Sequence, residues 1–176
     1  MKDNVKSVLV LTAICLVVAA ILAVTNFYTS SVIEQNKAET ARASLMVVMP
    51  DAAGFEELEL PENTPGTVQH IYKETSGLGY VALLSTTSQY SSGDMGITVG
   101  IDADGKVCGV SLTSYFESKD FGKDTYPQTY VGQDSSLDGV DTVAGVTYSS
   151  TAFKEAIADA FDTVFMIEYP EAREAA

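Results

Sequence analysis

The chain has 176 residues, room for one domain and a flanking segment, and its 46% apolar content is enough to build a core. Ten basic against 24 acidic residues give a net charge of −14, which excludes a surface that tracks nucleic-acid phosphates. A single histidine, His70, and two cysteines, Cys15 and Cys108, exclude His-based metal clusters and a disulfide framework.

Residues 1–7 carry Lys2 and Lys6 and read as a cytoplasmic N-terminus, because the chain beyond the apolar run is acidic. The run itself, VLVLTAICLVVAAILAV from Val8, extends without charge to Tyr28 and reaches the roughly 20 residues of a transmembrane helix. This predicts one helix at 8–28, the remainder outside the cytoplasm and a location at the cell membrane. A cleaved signal peptide is disfavoured because Val24, Thr25, Asn26 and Phe27 follow Ala23 where a second small residue belongs. Residues 29–65 read as a juxtamembrane helix, stopped by Pro50, and a Pro- and Glu-rich linker with one short strand.

Residues 66–168 then carry the signals of an α+β domain with antiparallel strands and flanking helices. VQHIYKE, a SGLG turn and YVALLSTT read as two strands, with His70 structural. Ile97–Asp102 and Lys106–Thr113 read as a hairpin about an ADG turn, where Gly105 takes positive φ. A calcium loop at DADG is excluded by its missing acidic ligands and terminal Glu. FESKDFGKDTYPQTYVGQDSSLDG is a long polar connection with four aromatics, of the kind that is functional or mobile. VDTVAGV reads as a strand with Gly145 as a bulge, and SST offers the cap for a helix beginning near Ser150. In that helix Phe153, Ala156, Ile157, Ala160, Phe161 and Val164 form a core-facing stripe. Residues 169–176 form a tail.

DTVAGVTYSST, from Asp141 to Thr151, gathers five Ser and Thr hydroxyls around Gly145 with no His or Cys nearby. A hydrolase elbow needs a second glycine after its nucleophile, and a phosphate loop needs a Lys directly after its glycines, whereas Lys154 comes too late. On composition alone the stretch is a buried strand leading into a helix.

DTVAGVT resembles the D-x-x-[ST]-G-A-T motif of the FMN-binding domain family. That domain is shared by the G subunit of Rnf electron-transport complexes and the C subunit of the sodium-pumping NADH:quinone reductase. Asp141, Gly145 and Thr147 match the fixed positions, while Ala144 and Val146 depart from it. ESKDFG resembles the family's E-T-P-G-L-G. Glu117 and Gly122 are kept, Ser118 replaces Thr, and Lys119, Asp120 and Phe121 differ. TYVGQD, VGIDADGKVCGVSL and NFYTSSVIEQNK also have family counterparts.

The resemblance implies FMN bound covalently through its phosphate to Thr147, an attachment made by a separate flavin transferase from FAD. Asp141, Gly145, Ser149, Ser150, Glu117, Ser118, Phe121 and Gly122 are then the expected flavin surroundings, with Phe121, Tyr126 or Tyr130 stacking on the ring. The implied role is that of an electron-relay redox subunit, a phosphoryl-threonine flavoprotein, among the membrane, iron-sulfur and flavin subunits of an ion-translocating ferredoxin:NAD oxidoreductase. The alternatives are a stand-alone membrane-tethered FMN carrier and a flavin-free interaction module. Regular strand alternation predicts that Ala144 and Val146 share an inner face, leaving Thr147 on the outer one.

Overall fold

The computed structural model describes residues 11–12, 14–19, 21–22, 25, 43–89, 91–116 and 122–170. The chain divides into two compact units, 1–41 and 42–176.

The described residues of the first unit are helical, and Leu11, Leu16 and Leu22 are exposed. The helix expected to span a membrane at 8–28 is not found. Among the described residues no helix is long and apolar enough to cross one. Over the described residues the fold class is α+β, without that span.

In the second unit five antiparallel strands form one meander sheet, ordered β1 (Phe55–Leu58), β2 (Val68–Glu74), β3 (Gly79–Thr86), β4 (Met95–Asp102) and β5 (Val107–Ser114). The strands expected up to residue 113 and the hairpin between β4 and β5 are present. Asp102 Oδ1 accepts the Asp104 and Lys106 N–H groups, and Gly105 sits at φ +73°, so the acidic turn is closed by its own backbone.

Period-2 alternation buries both faces of the sheet. Ala82, Leu84, Ile97, Val99 and Ile101 face the C-terminal helix, Thr147–Glu168, whose Phe153, Ala156, Ile157, Ala160 and Phe161 are all buried as the stripe predicts. The opposite face, with Val81 and the half-buried Cys108, is covered by Leu45 and Val48 from the 43–48 helix and by Met49, which follows it before Pro50. Gly100 and Gly109 leave the space for that cover, since a Cβ at Gly109 would lie 2.4 Å from the Val48 carbonyl oxygen.

The long polar connection is an ordered strap over its described residues. Its 3₁₀ turn Pro127–Tyr130 and the residues after it run along β5. Gly132 N–H donates to Val107 O at 2.7 Å, Val107 N–H to Gln133 O at 2.9 Å and Gln128 Nε2 to Val110 O at 3.3 Å. Tyr126, Tyr130, Leu137 and Val140 from this segment enter the core. That strap is one reason why VDTVAGV is not a strand: the edge of β5 is already occupied. The other is Gly145, whose φ of +86° turns the chain out of any ladder.

Candidate functional site

The site begins with that glycine. Gly145 closes a tight turn in which Val146 N–H donates to Val143 O at 3.2 Å, and the helix starts immediately afterwards, at Thr147 rather than near Ser150. Its cap position is Val146, whose side chain makes no capping bond, so the cap expected from SST is not used. Thr147 thus occupies the first helical position and is exposed. A Cβ at Gly145 would meet nothing within 4 Å, so the turn beside Thr147 opens outward.

The other motif residues separate into an outer and an inner set. Asp141 is exposed at the start of the loop and lies close enough to Tyr126 to help raise its pKa, although burial is the larger cause. Ala144 is exposed, which corrects the expected inner face. Val146 alone packs partly against the core, because the turn at Gly145 breaks the alternation. Ser149 and Ser150 are buried. Ser149 Oγ donates to Ser88 Oγ at 3.4 Å. Ser150 Oγ accepts the Val143 N–H at 3.0 Å and lies 3.1 Å from both the Val146 and Thr147 carbonyl oxygens. Lys154 Nζ donates to Val140 O at 2.8 Å.

Tyr126 and Tyr130, expected as ring-stacking candidates, belong to the core. Tyr130 is 0% exposed, and the two hydroxyls lie 2.9 Å apart. Both rings pack against Phe153 at centroid distances of 5.6 and 5.3 Å. Burial pushes the pKa of each above the ordinary phenol value. Gly122, at φ +83°, accepts the Thr125 and Tyr126 N–H groups and starts the turn leading to this pair. Glu117, Ser118 and Phe121 lie outside the described residues. Phe116, just before them, is exposed, and its carbonyl accepts the Ser92 N–H at 3.1 Å.

Sequence reasoning missed Lys154 and Ser88. Lys154 was weighed only against phosphate-loop spacing, and its partner Val140 lies 14 residues earlier, beyond any local pattern. Ser88 comes from a loop 61 residues before Ser149. Neither position carries a sequence signal. Among the described residues no group of His, Cys, Asp and Glu could hold a metal ion.

Residues 91–162 match the model of the FMN-binding domain. The chain is also similar to the G subunit of the Na⁺-translocating ferredoxin:NAD⁺ oxidoreductase complex of Acetobacterium woodii, with 29% identity over 127 residues. That match covers 65% of this chain and 61% of the relative, so the chain spans less than two thirds of the protein it resembles. β4, β5, the strap, the Gly145 turn and most of the C-terminal helix lie inside the matched segment, so the similarity to the FMN-binding domain includes Thr147 and the turn before it.

Proposed function

We propose that this chain is an electron-transfer flavoprotein subunit that carries FMN as a phosphoester on Thr147 and serves an Rnf-type, ion-translocating ferredoxin:NAD oxidoreductase. The observation that carries the reading is the exposed Thr147 hydroxyl at the first position of a 22-residue helix, inside the segment matching the FMN-binding domain. The surroundings fit a phosphate there. The helix start presents a positive dipole end, with no side-chain cap to compete. Gly145 leaves the approach open.

Nothing in the described motif provides a base for Thr147, which agrees with activation by another protein. A flavin transferase would bring FAD. The Thr147 Oγ–P bond forms as the pyrophosphate P–O bond of FAD breaks, AMP leaves with the bridging oxygen, and the threonine proton passes to a base of the transferase. Bound FMN supplies reversible redox chemistry, and this chain's residues hold and orient it. A covalent tether keeps the flavin beside its redox partners. It matters most outside the cytoplasm, where we place the domain; protease added to intact spheroplasts should digest it there.

Similarity to the Acetobacterium protein supports assembly with other Rnf-type subunits. Its limited coverage favours a second reading, a stand-alone FMN carrier, and the two are separated by whether the protein copurifies with such subunits.

The test of attachment is coexpression with a flavin transferase, followed by a denaturing gel read by flavin fluorescence and by intact mass. The wild type should gain one FMN less water, and Thr147→Ala should gain none. An adduct on Thr142, Tyr148 or Thr151, or fluorescence lost on denaturation, overturns the assignment.

A further inference from the structure

The loop that precedes Thr147 belongs to no strand ladder, yet two side chains of the helix that follows hold it. Ser150 is 0% exposed and accepts the Val143 N–H, while its own proton points to the carbonyls of Val146 and Thr147. One helical turn later Lys154 reaches back to the Val140 carbonyl. From beneath, Tyr126 OH donates to the Ser150 carbonyl at 3.5 Å, tying that turn to the aromatic core. The loop is therefore fixed at its start, middle and end by Lys154 and Ser150, while Thr147 stays exposed.

We propose that Ser150 and Lys154 are positioning residues for flavin transfer, holding the 140–146 turn so that a transferase meets a preformed Thr147. This rests on the reading that Thr147 receives the flavin. It gives Ser150 a role different from that of a phosphate ligand. The Ser150 oxygen accepts from Val143 and its hydrogen is spent on the loop carbonyls, so no donor is left for an anion outside. Lys154 likewise spends its ammonium on a carbonyl rather than on charge pairing. A transfer enzyme must align the threonine oxygen with the flavin phosphorus, and misplacement by about 1 Å can cost on the order of 100-fold in rate. A mobile loop would reduce the fraction of encounters in which that oxygen is aligned.

The experiment uses the flavin-free full chain, purified transferase and FAD, with Ser150→Ala, Lys154→Met and Lys154→Arg beside the wild type. Assays run well below each variant's melting temperature, with equal folded protein checked by circular dichroism. Ser150→Ala and Lys154→Met should raise the KM for the carrier protein about ten-fold and leave the KM for FAD unchanged. Lys154→Arg keeps a donor and should stay within about two-fold of the wild type. Amide exchange at Val143 and Val146, read by NMR without flavin, should accelerate in both deletion variants. Folded variants that load like the wild type overturn the proposal, as does unchanged exchange. If exchange accelerates but the wild type accepts no flavin, the attachment at Thr147 is what fails, and the transfer role falls with it.

Discussion

Gly109 faces Gly100 across the β4–β5 ladder, and Val48 lies over both, with its carbonyl oxygen close to the space where each side chain would begin. The contact at Gly109 is with backbone, which cannot swing aside. Gly109→Ala should therefore loosen the 43–48 helix from the sheet and cost about 1–3 kcal/mol in urea unfolding. Gly105→Ala is the control: nothing lies within 4 Å of its Cβ, so only the backbone strain of about 1–2 kcal/mol applies. An undiminished stability for Gly109→Ala would show that the helix is not seated as described.

Glu74 is buried at the end of β2 and accepts the Leu78, Ser76 and Ala53 N–H groups and the Ser76 hydroxyl. Led by the Leu78 bond, these contacts lower its pKa from 4.5 to about 2. A depressed carboxylate stabilises the fold fully above its unfolded pKa, and that contribution is lost as pH falls through about 2. The melting temperature of Glu74→Gln should lie below that of wild type at neutral pH. The gap should narrow only between about pH 4.5 and pH 2. A gap independent of pH in that range would contradict this.

The Tyr126–Tyr130 pair makes a coupling prediction. Tyr130 donates to Tyr126, which passes its own proton to the Ser150 carbonyl, so Tyr126→Phe leaves a buried Tyr130 hydroxyl without its acceptor. That single change should cost about 1–3 kcal/mol, and the Tyr126→Phe/Tyr130→Phe double variant less than the sum of the singles. Additive losses in denaturant titrations would show that the two hydroxyls act separately.

Gly145 predicts a dependence on backbone rather than bulk. Its φ of +86° disfavours β-branched side chains, while the space around it is empty. Gly145→Asn should retain most covalent flavin loading and Gly145→Val should lose it. Ala144→Ser, on an exposed position, should leave loading unchanged. Equal loading of the Asn and Val variants, measured by in-gel fluorescence, would remove the conformational argument.

The strands and the stripe on the last helix were legible because apolar residues repeat every second residue in one and every three to four in the other. Gly105 was legible for a local reason too: a tight acidic turn between two paired strands needs positive φ. The same reasoning misplaced Gly145 as a bulge within a strand, because whether an extended run pairs depends on a free sheet edge, and the 128–133 strap takes that edge. Tyr126 and Tyr130 misled in the same way. They lie in a largely polar segment, and packing against Phe153 and the rest of the core cluster is what buries them. The apolar run after Lys6 fits a spanning helix by composition, yet among the described residues no helix is long and apolar enough to be one. The motif singled out Thr147 in the sequence, whereas its exposed place at the helix start and the bonds that hold its loop come from tertiary structure.

The strap over β5 also limits how this molecule associates with others. A sheet recruits foreign chains through unpaired edges, and here the 128–133 segment has already filled one of the two. The other edge, β1, is four residues long and carries Glu56 and Glu57 exposed on an acidic chain. Polymerisation strand on strand is thus blocked at one side and repelled at the other. A protein that docks on this domain is therefore expected to read side-chain relief rather than add a strand.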